Sequence, residues 1–134
     1  MPVDRGGFCR VNGDAAASVS EPDDGHLSVH VLDTVTGGPA PRLAVALESR
    51  SDAGWRPLGR QLTDEDGRID RLGPEAVSAG CYRLMLDTAA FFASRRSSSF
   101  FPEVVIAFKV FSPGENVHLA VLLGPFAYTA YRGS

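Results

Sequence analysis

From residue 26 onward the chain is a succession of short apolar runs with period two, each closed by a cluster of turn-forming residues. That rhythm leaves room for strands and little else. Leu27-Ser28-Val29-His30-Val31-Leu32-Asp33 alternates as a half-buried strand does. Thr36-Gly37-Gly38-Pro39 follows as a turn, and Leu43 to Glu48 carries Leu43, Val45 and Leu47 on one face. After the Asp52-Ala53-Gly54 turn, Trp55 to Leu62 reads as a strand. Pro57 and Gly59 mark it as short or as the edge of a sheet. Thr63-Asp64-Glu65-Asp66-Gly67 is a strong turn, with a short strand over Arg68-Ile69-Asp70 behind it. Cys81 to Leu86, Val104 to Phe111, Val117 to Leu123 and Phe126 to Tyr131 complete the strands. Thr88 to Arg96 suits one short helix, capped by Thr88. About eight short strands and one brief helix predict an all-β, two-sheet antiparallel sandwich, with no room for βαβ units.

Composition narrows the class. The 134 residues are 44% hydrophobic and 22% charged, which fits one globular domain. A formal charge of −3 argues against a nucleic-acid binder, which needs a basic surface. No apolar run approaches the ~20 residues that span a bilayer. The first residues lack the apolar core of a secretory signal, so a cytoplasmic location is expected. Residues 1–25 hold few large apolar groups and no strand or helix period, and are expected to form a flexible tail ahead of a domain at 26–134. Cys9 and Cys81 are too few for a disulfide framework or a cysteine-ligated zinc site. They read as two free thiols in a reducing compartment, with Cys81 a small core residue.

Three histidines offer chemistry near neutral pH. His118 alternates with Asn116, Ala120 and Leu122, whereas Val117, Leu119, Val121 and Leu123 form the core face. Its imidazole therefore points away from the core. His30 shares its outward face with Ser28 and Leu32. Two outward histidines could equally be plain surface residues, and His26 at the domain boundary reads as incidental. Arg68, beside the Asp66-Gly67 turn, could be solvated or could present a rigid fork of donors to an oxygen-rich ring. Tyr128 and Tyr131 carry aromatic character almost to the end of the chain, which suggests a docked terminus. There is no glycine-rich phosphate loop, no Gly-x-Ser-x-Gly elbow and no His-Glu-x-x-His spacing.

Four of these stretches together resemble one family. Leu27 to Thr34 with Gly38-Pro39-Ala40 resembles the opening of the transthyretin-related 5-hydroxyisourate hydrolases. Thr63-Asp64-Glu65-Asp66-Gly67-Arg68 is similar to their arginine-bearing turn, and Phe100-Phe101-Pro102-Glu103-Val104 to their segment before the long strand. Tyr131-Arg132-Gly133-Ser134 resembles the C-terminal tetrapeptide that separates the hydrolases from the hormone carrier transthyretin. The resemblance implies a transthyretin-like two-sheet sandwich and a homotetramer, a dimer of dimers, with sites at the dimer–dimer interface. It implies hydrolysis of 5-hydroxyisourate, without metal or organic cofactor and without a nucleic-acid or membrane partner. The catalytic residues it implies are His30, Arg68 and His118, with Tyr131, Arg132, Gly133 and Ser134 holding the substrate. The sequence departs from the family's usual pattern at Asn116, Val117, Ala120, Gly124 and Ala127. The alternative within the same fold is a carrier that binds small aromatic ligands in a central channel.

Overall fold

Alternation decides the first strand. In β1 (Leu27–Asp33) every second side chain, from Leu27 to Asp33, is buried, and Ser28, His30 and Leu32 face outward. The structure, a computed structural model, describes residues 25–134. In chain order there follow β2 (Gly38–Pro39), β3 (Ala44–Ser51), β4 (Gly54–Leu62), β5 (Arg68–Ile69), β6 (Gly80–Leu86), α1 (Thr88–Ala93), β7 (Val104–Val110), β8 (Val117–Leu123) and β9 (Tyr128–Gly133). They form two sheets. One has the order β2-β1-β8-β9, with β5 also paired to β1; the other runs β4-β3-β6-β7. Among the described residues every pairing is antiparallel except β1 with β8, which run parallel over the full seven residues from Leu27↔Val117 to Asp33↔Leu123.

The core lies between the sheets. Val29 and Val31 of β1 and Leu119, Val121 and Leu123 of β8 meet Val45 and Leu47 of β3, Leu84 and Leu86 of β6 and Val104 of β7. Phe91 and Phe92 of α1 close one end, their rings edge to face at 5.1 Å between centroids. Each such aliphatic side chain contributes about 1.5–3 kcal/mol by leaving water.

Several expectations shift in detail. The turn at Gly38-Pro39 also pairs with β1, because Leu32↔Pro39 and Asp33↔Gly38 fall in register. β4 is an edge, as Pro57 required, but it is long. Between the pairs Leu47↔Gly59 and Glu48↔Pro57 the register shifts, and Leu58 of β4 is the extra residue of a bulge beside Pro57. The helix stops at Ala93, and its cap is Asp87, whose carboxylate accepts the Ala90 N–H at 3.2 Å. Thr88 is instead fully buried, its hydroxyl donating to the Leu86 carbonyl. β9 begins two residues later than expected and runs on to Gly133.

The reading of Cys81 as a free thiol is corrected: it is disulfide-bonded. It is buried, yet it alternates with Arg83 and Met85 rather than with the core residues Tyr82, Leu84 and Leu86. Two cysteines far apart in a chain carry no sign of whether folding brings them together. Cys9 and nearly all of the expected tail lie outside the described residues. Gly25 is described and buried, with its N–H donating to Asn116 Oδ1 at 3.1 Å. Among the described residues no helix is long and apolar enough to cross a membrane.

The Thr63 side chain pins the turn that leads into β5. Its buried hydroxyl accepts the Leu43 N–H at 2.9 Å and donates to the Ala40 carbonyl. Thr63→Val keeps the shape and orphans both backbone groups. It should cost about 1–3 kcal/mol or more of stability, read as a lower urea midpoint at unchanged slope.

Candidate active site on the outer face of the β1-β8 sheet

Three rows of side chains cross the outer face. The parallel register sets Ser28 opposite His118 and His30 opposite Ala120. The β8–β9 register sets His118 opposite Gly133 and Ala120 opposite Tyr131, and β5 brings Arg68 opposite His30. One row therefore reads Ser28–His118–Gly133, and the next reads Arg68–His30–Ala120–Tyr131. Leu32, Leu122 and Thr129 form the third. Residues 30, 68, 118 and 133, scattered through the sequence, become neighbours because four strands lie side by side.

Arg68 owes its place to the turn before it. The Asp64 carboxylate accepts from the backbone N–H groups of Asp66 and Arg68, each at 2.9 Å. Gly67 sits at a φ of 74°, where L side chains are strained. A Cβ there would also overlap the Val31 carbonyl oxygen. The missing side chain lets the Gly67 carbonyl accept the Val31 N–H at 2.8 Å and binds the turn to β1.

These groups line an open pocket of about 550 Å³. Its walls include His26, Ser28, Arg68, Asp70, Asn116 and His118, and the chain end closes it with Gly133 and Ser134. The His118 ring is held on two sides. Its Nδ1 lies 2.7 Å from Ser28 Oγ, and a Cβ on Gly133 would overlap its Cδ2. Only glycine lets the last strand come this close. His118 is pulled below the ordinary imidazole range, first by partial burial, then by the charges of Arg68 and His30.

The seven residues singled out in the sequence do not all converge. Arg68, His118, Gly133 and Ser134 line the pocket. His30 stands one row away, near enough for its charge to oppose protonation of His118. Tyr131 shares the outer face and is 57% exposed. Arg132 alternates to the other side, where its guanidinium pairs with Glu115 at 2.7 Å. Burial alone would raise the Glu115 carboxyl. The Arg132 hydrogen bond and the backbone N–H groups of Ser112 and Phe111 outweigh it and hold it below the usual carboxylate range. In this chain Arg132 fastens the end of β9 to the loop before β8.

Sequence reasoning missed four polar wall residues: His26, Ser28, Asp70 and Asn116. Asn116 accepts the backbone N–H groups of Gly25 and His26, each at 3.1 Å, and so fixes the entry to β1 beside the pocket. Its amide oxygen thus serves as acceptor for both backbone protons. The signal for Ser28 was its shared face with His30, but its partner depends on the β1–β8 register. Among the described residues no group of three or more His, Cys, Asp or Glu could hold a metal ion.

Comparison with known proteins gives the family. The model of the HIUase/Transthyretin family matches residues 27–133. The chain belongs to that family. It is 44% identical over 109 residues to the 5-hydroxyisourate hydrolase of Salmonella dublin, spanning 81% of this chain and 80% of that one. The structure of Klebsiella pneumoniae 5-hydroxyisourate hydrolase superimposes with a TM-score of 0.73 at 34% identity, covering 81% of this chain and 99% of the other. Transthyretin from Sparus aurata superimposes equally well, with a TM-score of 0.75 at 31% identity, over 80% and 95% of the two chains. Shape alone does not separate the two activities of the family, and the decision falls to the side chains in the pocket.

A depressed His118 has a definite sign. The folded chain binds that proton less readily than the unfolded chain does. The stabilisation is therefore present above the unfolded value of 6.5 and is lost as pH falls from there toward the folded value. An NMR titration of the His118 ring should give a midpoint below 6.5, and Arg68→Gln should move it back up.

Proposed function

We infer that this chain hydrolyses 5-hydroxyisourate, giving 2-oxo-4-hydroxy-4-carboxy-5-ureidoimidazoline, a step in urate degradation. The substrate is a planar, oxygen-rich ring whose acyl–nitrogen bond is opened by water. The observation that carries this reading is an imidazole, His118, held below the ordinary imidazole range by partial burial and by the nearby Arg68 and His30 charges, lining one pocket with the Arg68 guanidinium, Gly133 and Ser134. Water attacks the acyl carbon while an imidazole takes its proton, an effect typically worth ~10²–10⁴ in rate. His118 is the base and His30 relays the proton, returning it to the departing nitrogen. Arg68 supports the charge that develops on the carbonyl oxygen, where a lost donor typically costs ~10²–10³. Tyr131, Gly133 and Ser134 position the ring, and Arg132 acts through its ion pair with Glu115. No metal or organic cofactor enters this scheme.

The same face supports an assembly. Leu122 is 38% exposed and Tyr131 57%, on the face that also carries His30 and His118. In a homotetramer built as a dimer of dimers, those groups meet another subunit and the pocket is closed from solvent. The carrier reading draws on the likeness to transthyretin, but a pocket lined by His26, Arg68, Asp70, Asn116 and His118 is polar, and a small aromatic ligand calls for apolar walls.

Freshly generated 5-hydroxyisourate should lose its ultraviolet absorbance far faster with the protein than in buffer. Decay at the buffer rate, with tight binding of an aromatic ligand, would favour the carrier. Arg68→Lys retains the charge and loses the fork, and kcat should fall about 10²-fold. An unchanged kcat would remove Arg68 from the mechanism.

A further inference from the structure

The hydrolase reading requires His118 to accept a proton but leaves open which nitrogen does so. A neutral imidazole has one N–H and one lone pair, and only the lone pair takes a proton. The row Ser28–His118–Gly133 bears on this choice. Ser28 Oγ stands 2.7 Å from Nδ1, at the short end of the range for such a bond. Gly133 lies against the Cδ2 edge, so the ring cannot turn toward β9. Nδ1 is thus occupied, and Nε2 is the nitrogen left to serve the pocket. Arg68 lines the same pocket. A cation favours a lone pair facing it over an N–H. The hydroxyl of Ser28 can accept as well as donate, and with Nε2 unprotonated it accepts from Nδ1–H and so stabilises that tautomer.

We propose that Ser28 is a positioning residue that holds His118 as the Nδ1–H tautomer, with Nδ1–H donating to Ser28 Oγ and the Nε2 lone pair presented to the pocket. The assignment rests on the hydrolase reading for its kinetic consequence and on geometry alone for the tautomer. The parallel register makes the contact possible, because it places Ser28 and His118 directly opposite on adjacent strands.

Nitrogen-15 spectra of the labelled protein, at a pH above the His118 midpoint, read the tautomer without any assay. The wild type should show a protonated Nδ1 and an unprotonated Nε2. Ser28→Ala should shift the population toward Nε2–H, and Ser28→Thr, which restores a hydroxyl, should return it. With 5-hydroxyisourate, Ser28→Ala should lower kcat roughly tenfold with KM changed less than about twofold, and Ser28→Thr should recover most of it. If the alanine variant melts early, Ser28→Cys, close in size but a weak acceptor, carries the same comparison. A wild-type spectrum with Nε2–H overturns the assignment. So does a fall in kcat with the tautomer unchanged, which would make Ser28 structural only. Wild-type protein that leaves 5-hydroxyisourate at the buffer rate defeats the hydrolase reading, and the spectra still decide the tautomer.

Discussion

The parallel pairing of β1 with β8 is the constraint from which the site descends. These strands are remote in the chain, and a parallel pair cannot be closed by a hairpin. Its closure entropy is met by the apolar faces it brings together: Leu27, Val29 and Val31 beside Val117, Leu119, Val121 and Leu123 all enter one core. Because side chains alternate, burying that face turns Ser28, His30 and His118 outward as a set. A slip of one residue would send the histidines into the core and the valines to solvent. The hydrophobic effect therefore enforces the register, and the register aligns the polar groups.

The remaining parts of the pocket are brought to this pair by backbone devices. The Asp64 turn and the bare Cα of Gly67 seat Arg68 against β1. Gly133 lets β9 close on the His118 ring, and the Arg132–Glu115 pair anchors the same strand from its other side. Exposed ion pairs contribute little to stability, but the Glu115 side chain is mostly buried and also receives two backbone N–H groups. Its value lies in holding the chain end at one height over the pocket. Partial burial first, and then a cation and a second imidazole nearby, hold His118 below the ordinary imidazole range.

The periodicity of single strands was legible. The core face of β8, the outward direction of His30 and His118, the edge position of β4 and the turn before Arg68 all follow from local residue types. The helix cap was misread because both Asp87 and Thr88 can cap, and Thr88 was drawn into the core instead. Cys81 was misread because a disulfide depends on where folding brings the chain, which no local residue pattern shows. Arg132 was grouped with its neighbours in a tetrapeptide, although strand alternation sends it to the opposite side.

By itself the sequence determined which residues alternate, where the chain turns and which polar groups must face out, because those properties depend on steric and hydrophobic preferences within a few residues. It also determined the family, through four short stretches in order. Tertiary structure alone decided that Ser28 meets Nδ1 of His118, that Gly133 presses on that ring and that His26, Asp70 and Asn116 join the pocket. Those contacts link strands up to ninety residues apart. Nothing local encodes them, since a register is selected only when the whole buried face is packed at once.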